Sequence, residues 1–121
     1  MADKTLGLIK TYIAEADAAA FLIAKPGTAD GSVVPATAAT DKLMGTYNNL
    51  GAENGKPCDL IKGGIGTVKL GGTVDAGDAL TPDANSKAIA TTTAGNRIIG
   101  FAEIAGVADD EIPYLFAPGQ L

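Results

Sequence analysis

Glycine and proline interrupt this chain so often that long regular elements are excluded. The 121 residues include 16 glycines and 6 prolines, spread fairly evenly. Both residue types disfavour helix interiors and central strands. The longest uninterrupted stretch covers residues 8–25, and its segment 14–20 is the one helix-friendly piece. The spacing therefore predicts short β-strands joined by turns.

The segments between these interruptions are β-prone and lack helical periodicity beyond the first twenty residues. Strands of four to eight residues separated by turn signals are typical of a sandwich or barrel. We predict an all-β fold, a small β-barrel or β-sandwich of about eight short strands. The predicted strands are residues 21–25, 32–34, 42–47, 57–61, 66–70, 87–91, 97–104 and 112–116.

Glycines and one aspartate mark the predicted structural turns. Gly63-Gly64 and Gly71-Gly72 are expected to supply the positive φ angles that tight hairpins need. The run from Lys62 to Ile65 is the clearest hairpin signal in the sequence. The candidate turn residues are Gly45, Gly63, Gly64, Gly71, Gly72, Gly77, Asp78 and Gly100.

A weak internal repeat is visible at a spacing of 55 residues. This shift aligns residues 30–61 with residues 85–116 without a gap. The shared pattern is a turn, a short strand, a Thr/Ala-rich link, a basic residue, two aliphatic residues, a glycine and a closing strand. Two halves of similar topology would explain the match, whereas its few identities also allow chance. These identities are Thr37/Thr92, Ala39/Ala94, Gly45/Gly100 and Leu60/Leu115.

Charge and hydropathy exclude several classes of partner. The net charge is −5, and Arg97 is the only arginine. Nucleic-acid binders normally present a basic face to the phosphates, so no nucleic-acid partner is expected. No apolar run approaches the roughly 18 residues of a membrane span, and the N-terminus lacks the layout of a signal peptide. We expect the protein to be made in a cytoplasm and to have no association with a membrane.

Catalytic chemistry has few candidate residues. The chain has no histidine, which removes the commonest general base and metal ligand. Cys58 is the only cysteine and has no histidine to pair with. Residues 66–73 superficially resemble a phosphate-binding loop, but Gly72 stands where that loop needs lysine. The acidic run 109–111 is interpreted as a solvated loop. We predict no enzyme activity, no cofactor and no metal.

The second half contains two distinctive motifs, GGTVDAGDAL at 71–80 and RIIGFA at 97–102. A predicted closing strand follows the acidic run 109–111. With DGSV at 30–33 and KLMG at 42–45, this order resembles the capsid cement, or decoration, proteins of tailed bacteriophages. The resemblance covers residues 21–116. Ser86 departs from it, because the family usually has glycine there. Pro113 lies inside the closing strand, which predicts an edge strand or pairing on one side only at that residue.

The resemblance implies a structural protein that binds the outer surface of a phage capsid and stabilises the expanded shell by bridging capsomers. It implies the major capsid protein as partner, a homo-oligomer (dimer or trimer), and a virion location after synthesis in the host bacterial cytoplasm. Residues 21–116 would form the cement domain, residues 1–20 an arm or first strand, and residues 117–121 a tail. Candidate capsid or subunit contacts are Lys4, Thr5, Leu6, Leu8, Tyr12, Pro118 and Leu121.

A different class of function remains as the alternative. The chain could be a carbohydrate- or cell-surface-binding β-module displayed on a virion. Sugar sites usually offer aromatic platforms. Clustered, exposed side chains of Tyr12, Tyr47 and Tyr114 would favour this alternative.

Overall fold

The computed structural model describes residues 8–121, which form ten β-strands and no α-helix. The predicted all-β class is thus confirmed, with two strands more than expected. The strands are β1 (Ile9–Ala14), β2 (Ile23–Pro26), β3 (Ser32–Pro35), β4 (Gly45–Tyr47), β5 (Pro57–Ile61), β6 (Ile65–Lys69), β7 (Ala79–Pro82), β8 (Ala88–Ala90), β9 (Arg97–Ala102) and β10 (Glu111–Gln120).

The first five strands close into a barrel in the order β1-β3-β2-β4-β5. Strand β1 closes it by pairing antiparallel to β5 and parallel to β3. Apolar residues alternate inward along β1 and β5, as half-buried strands require. The fully buried core of this first barrel comes entirely from its own strands and loops. Its members are Tyr12, Ala14, Ala24, Val33, Tyr47, Cys58 and Leu60.

The last five strands form a second sheet in the order β6-β10-β9-β7-β8. A single parallel bridge between Leu70 and Ala88 brings its two ends together. We call this curled sheet the second barrel. Its core is not self-contained, because Ile23 and Ala36 of the first barrel are fully buried in it. The other members are Val68, Leu70, Val74, Leu80, Ala88, Ile99, Ala102, Ile112 and Tyr114.

The two barrels are copies of one topology, which confirms the predicted similar halves and extends them to the whole described chain. Every strand pairing in the first barrel has a counterpart in the second once the chain is shifted by 54 to 56 residues. The pair Ile9–Ile61 corresponds to Ile65–Leu115. The parallel contact of Ala14 with Val33 corresponds to the Leu70–Ala88 bridge. The small changes of offset between strands explain why one gapless shift shows the repeat only weakly.

Backbone conformation repeats as well. Among residues 8–121, three non-glycine residues have a positive φ, namely Phe21, Ser86 and Asp109. Each corresponds to a glycine of positive φ in the other barrel: Gly77, Gly31 and Gly55 respectively. Ser86 therefore takes the conformation of the glycine that it replaces, and the β7–β8 tip keeps its shape. The turn geometry is shared although the residues are not.

Equivalent core positions of the two barrels differ in side-chain size. Where the first barrel has a large side chain, the second often has a small one, and the reverse. Cores tolerate such substitutions when the total volume is kept. Sequence identity consequently falls while the topology stays the same. Such equivalent pairs include Tyr12/Val68, Ala14/Leu70, Ala24/Leu80, Tyr47/Ala102 and Leu60/Tyr114.

The barrels differ at the seam between their first and third strands. In the first barrel the amide of Ile13 donates directly to the carbonyl of Gly31, at 2.9 Å. At the equivalent seam of the second barrel, the amide of Lys69 donates to the carbonyl of Phe21, at 3.0 Å. The carbonyl of Ser86 there accepts from the amide of Ile23, at 2.9 Å. Residues 21–23 of the first barrel thus insert into the seam of the second and hold it open.

Two sequence predictions about connections are wrong. The run Lys62–Ile65 is not a hairpin, because β5 pairs with β1 and β4 whereas β6 pairs with β10. It is the linker between the barrels, and glycines serve a linker as well as they serve a hairpin. Within it Gly64 has a positive φ and Gly63 does not. Residues 117–120 are not a tail, because β10 runs on to Gln120 and pairs with Arg97 there.

Several predicted turn glycines have other roles. Gly45 and Gly100 lie inside strands β4 and β9, at φ +154° and +157°. A Cβ on Gly45 would come within 2.6 Å of the carbonyl oxygen of Ile61, and one on Gly100 would overlap that of Leu115. Gly71 and Gly72 follow β6 without a positive φ. Close backbone approach between strands, rather than a turn, requires glycine at Gly45 and Gly100.

Three further expectations concern the N-terminal region and the closing strand. Residues 9–14 are a strand, which was one of the two alternatives for the N-terminal region. The helix-friendly segment 14–20 forms no helix. Pro113 pairs with Thr67 of β6, whereas pairing with β9 begins only at Tyr114. Strand β10 is a central strand and not an edge strand. The carbonyl of Pro113 accepts from the Glu103 amide on the β9 side, at 3.1 Å, so the predicted one-sided pairing is not confirmed either.

Candidate interaction surfaces

The acidic side chains of the described residues form no cluster with metal-binding geometry. Residues 8–121 contain no group of three or more His, Cys, Asp or Glu side chains that could hold a metal ion. The three residues of the acidic run 109–111 each contact a different partner. Asp109 accepts from Lys87 Nζ at 2.6 Å, Asp110 from the Val107 amide at 2.9 Å, and Glu111 lies 3.9 Å from Lys69 Nζ. These carboxylates stabilise loops and strand ends. Across residues 8–121, no helix is long and apolar enough to cross a membrane.

Cys58 packs as a small apolar residue in the first barrel. It lies in β5 and is 6% exposed. Burial raises the pKa of its thiol, with a smaller contribution from the neighbouring charge of Asp59. A protonated, buried thiol is a poor nucleophile.

The three tyrosines do not form a surface platform. Tyr47 and Tyr114 are fully buried, and Tyr12 is 4% exposed. Burial raises the pKa of both fully buried phenols. The hydroxyl of Tyr12 accepts from Lys62 Nζ at 2.6 Å. The exposed aromatic cluster that a sugar-binding alternative needs is therefore not built from these side chains.

Only some of the predicted N-terminal contacts belong to the described residues. Lys4, Thr5 and Leu6 lie outside the described residues. Leu8 is 72% exposed and lies against Gly63, where an added Cβ would meet its side chain at 3.0–3.2 Å. Tyr12 belongs to the core rather than to the surface. Leu8 is thus the predicted N-terminal contact that the structure places on the outside.

The outer side of strand β1 is apolar near the seam of the first barrel. Ile13 is 47% exposed and pairs with Pro57 of β5. The equivalent positions in the second barrel hold Lys69 and Glu111, an ion pair suited to water. One of the two equivalent surfaces therefore carries an ion pair, and the other has an exposed isoleucine instead. No motif marks Ile13 in the sequence; only the alignment of the two barrels singles it out.

The second barrel carries an open, largely apolar groove with a cavity volume of about 800 Å³. Phe101 and Leu121 are 37% and 43% exposed at this groove. The backbone of Leu121 is fixed there by hydrogen bonds with Asn96 and Gly95. Pro118 lies elsewhere, at the bulge of β10 and beside a smaller depression. The lining residues of the groove are Gly77, Asp78, Ala79, Ala90, Thr91, Thr92, Ala94, Phe101 and Leu121.

The face of the first barrel that corresponds to this groove is covered. There Ile23 and Ala36 are buried in the core of the second barrel. Thr46, the counterpart of Phe101, is also buried, and its hydroxyl lies 3.2 Å from that of Tyr114. The same face is thus an interface on one barrel and an open groove on the other. We call it the joining face.

Comparison with known proteins gives a match at the level of structure. No protein-family model matches the sequence, and no curated protein matches it. Among solved structures, the crystal structure of the N base of the head fibre gp8.5 of bacteriophage phi29 is similar, with a TM-score of 0.73. The match covers 96% of this chain and 98% of that chain at 14% sequence identity. The chain therefore shares the fold of the base of a phage head fibre.

Proposed function

We propose that this protein is a structural component of a phage virion that binds the outer surface of the capsid. The observation that carries the proposal is the near end-to-end structural match to a head-fibre base. A match that covers both chains almost completely includes both barrels and their mutual arrangement. The sequence resemblance to capsid cement proteins, drawn from turn and strand motifs, supports the same kind of location independently.

The proposed mechanism is stabilisation by selective binding. A protein that binds only the expanded shell lowers the free energy of that state by its binding free energy, summed over all bound copies. A protomer that touches two neighbouring capsomers gains avidity, so each single contact can be modest. A double barrel of ten strands suits this passive role. The partner would be the major capsid protein.

We assign the N-terminal end of β1 to the contact with the shell. Leu8 is the most exposed large apolar residue of this end, and only Gly7 separates it from the predicted contacts Lys4, Thr5 and Leu6. An aliphatic side chain that is exposed in the free protein gains roughly 1.5–3 kcal/mol when a partner buries it completely. An aspartate in its place would be desolvated at a cost.

The test is a binding titration against capsids stripped of this protein, in immature and expanded forms. We expect saturation at a fixed number of copies on expanded shells, together with a raised melting temperature of the shell. Leu8→Asp should weaken binding by at least tenfold. The matched control is Thr40→Asp, which adds the same charge at an exposed loop position. Absence of binding to both capsid forms would refute the proposed function.

A second role within the same class follows from the matched protein, which is the base of a fibre. The chain could anchor a projecting appendage instead of only reinforcing the shell. Electron microscopy of saturated shells separates the two roles. A compact knob at each site, with a raised shell melting temperature, supports reinforcement. A bound projection with unchanged shell stability supports anchoring.

A further inference from the structure

The joining face is used once within the chain and is left open once. On the first barrel it is covered by the second, through Lys69, Ser86 and Tyr114. On the second barrel the equivalent residues line the groove, with Phe101 and Leu121 exposed. A chain built from two copies of one module therefore ends with one unused joining face.

The complementary surface is also present in an unused copy. The counterparts of Lys69 and Ser86 on the first barrel are Ile13 and Gly31, which meet at the closed seam. Both are exposed. Ile13 is apolar where Lys69 is charged, so this seam presents an isoleucine in place of an ammonium group. Each chain thus carries one exposed isoleucine at the seam of its first barrel, which we call the projection, and a largely apolar groove on its second barrel.

Both unused surfaces differ in shape from the two equivalent surfaces that are joined within the chain. Within the chain, the backbone of Phe21 and Ile23 makes hydrogen bonds with both edges of an open seam, and the Ile23 side chain is buried in the second core. In the groove their counterparts are the small residues Gly77 and Ala79, which line an open cavity. The seam of the first barrel is closed by the Ile13–Gly31 hydrogen bond and has no room for an inserted segment. A groove opposite a projecting isoleucine fits this closed form.

We propose that the groove of the second barrel binds the Ile13–Gly31 seam of a second copy of this chain. The contact is head-to-tail, since it joins two different surfaces, and it continues between molecules the arrangement that joins the two barrels within one. Heterologous contacts of this kind form rings when the rotation closes and filaments when it does not. The proposal concerns the free protein and does not depend on its binding to a capsid.

The test is the mass of the protein in solution, measured by sedimentation velocity without capsids. We expect the wild type to form assemblies at concentrations up to about 1 mM. Ile13→Lys replaces the projection with an ammonium group that lacks the carboxylate partner of Lys69, because Pro57 stands where Glu111 does. Phe101→Glu places a charge in the groove. Each variant should give monomers. Ala94→Glu, at an exposed position of the groove lining, tests the groove without altering a strand. Ile9→Lys adds the same charge to β1 away from the seam and should leave the mass unchanged.

Mixing provides the decisive measurement. Ile13→Lys keeps an intact groove and Ala94→Glu keeps an intact projection, so an equimolar mixture should form dimers and nothing larger. A symmetric contact between identical surfaces could not be restored in this way. A wild type that stays monomeric throughout, or a mixture that stays monomeric, would overturn the proposal. Capsid binding of the wild type would still be open to measurement in either case.

Discussion

At the scale of single residues, the two barrels solve one steric problem in opposite ways. The Glu15 carboxylate lies where an added Cβ on Gly27 would come within 2.6 Å of it. In the second barrel the equivalent positions are Gly71 and Asp83, and an added Cβ on Gly71 would overlap the Asp83 carboxylate. Each barrel therefore places one acidic side chain against one glycine. The two positions are swapped: Glu15 is equivalent to Gly71, and Gly27 is equivalent to Asp83. The carboxylate in each case accepts backbone amides of the following turn.

Glu15 gives the fold an acid-sensitive contact. Its carboxylate accepts hydrogen bonds from the Ser32 hydroxyl at 2.6 Å and from the amides of Thr28 and Ala29. These bonds, that of Ser32 foremost, lower the pKa of Glu15 to about 2. A depressed pKa contributes stability that is complete above the ordinary value of 4.5 and is lost as the pH falls through about 2.

We therefore expect Glu15→Gln to destabilise the protein at neutral pH and to reduce its sensitivity to acid. Urea unfolding of wild type and variant at pH 7 and at about pH 3 measures both effects. The difference in unfolding free energy between the two proteins should shrink at the lower pH, because Glu15 is protonated there in the unfolded wild type but is still ionised in the folded one. Asp17→Asn, at an exposed position, is the control. An unchanged difference at both pH values would contradict this role of Glu15.

Gly100 is the least replaceable glycine of the fold. Its φ of +157° is outside the range that other residues favour, and a Cβ there would overlap the carbonyl oxygen of Leu115. We expect Gly100→Ala to cost about 2–4 kcal/mol of unfolding free energy, because strand β9 must move away from β10. Gly72→Ala is the control: its Cβ would meet nothing closer than Ile89, at 3.7 Å. Equal midpoints of urea unfolding for the two variants would refute the steric argument.

At the scale of elements, local patterns predicted the strands but not their partners. Most predicted segments are strands, because alternating apolar residues bounded by glycine specify an extended, half-buried chain. Strand β7 was missed because Pro82 and Asp83 at its end resemble a turn. The Lys62–Ile65 run was misassigned because turn residues do not encode whether the flanking strands return to one sheet or enter two. Strand pairing is set by contacts far apart in sequence.

The segment around Ile23 is the element that couples the barrels. Ile23 belongs to β2, yet its side chain is fully buried in the core of the second barrel. Ile23→Ala would leave a cavity there and should cost about 2–5 kcal/mol. Amide hydrogen exchange should accelerate most in β6 and β8, whose seam this segment fills. Ile9→Ala, on an exposed side chain, should cost under about 0.5 kcal/mol. Uniform acceleration across both barrels would contradict the coupling through the seam.

At the scale of the whole molecule, the candidate surfaces were the least predictable feature. The apolar character of Ile13 and Phe101 is ordinary in a strand, and an exposed apolar residue carries no signal by itself. Tyr12 was predicted as a contact but lies in a core, because the side of a strand that faces inward depends on register. The unused joining face becomes visible only when equivalent residues of the two barrels are compared. Such a comparison needs the strand registers, which the sequence repeat does not supply.

The asymmetry of the cores predicts an asymmetric dependence of the two barrels on each other. The first core contains residues of the first barrel alone, whereas the second includes Ile23 and Ala36. We expect a fragment of residues 1–62 to retain β-structure and a fragment of residues 64–121 to be unfolded. Circular dichroism and proton–nitrogen correlation spectra of the two fragments test this.

Mixing the two fragments distinguishes two reasons why the fragment 64–121 would be unfolded, namely the loss of core residues from the first barrel and its short length. Five-stranded units of this length are marginal, so loss of structure in the second fragment could reflect its size alone. If the missing Ile23 is the cause, adding the first fragment should restore dispersed spectra of the second, whereas the first fragment with Ile23→Ala should restore them less. A second fragment that folds alone would show that its seam closes without residues 21–23. The first barrel would then be a neighbour of the second and not part of its core.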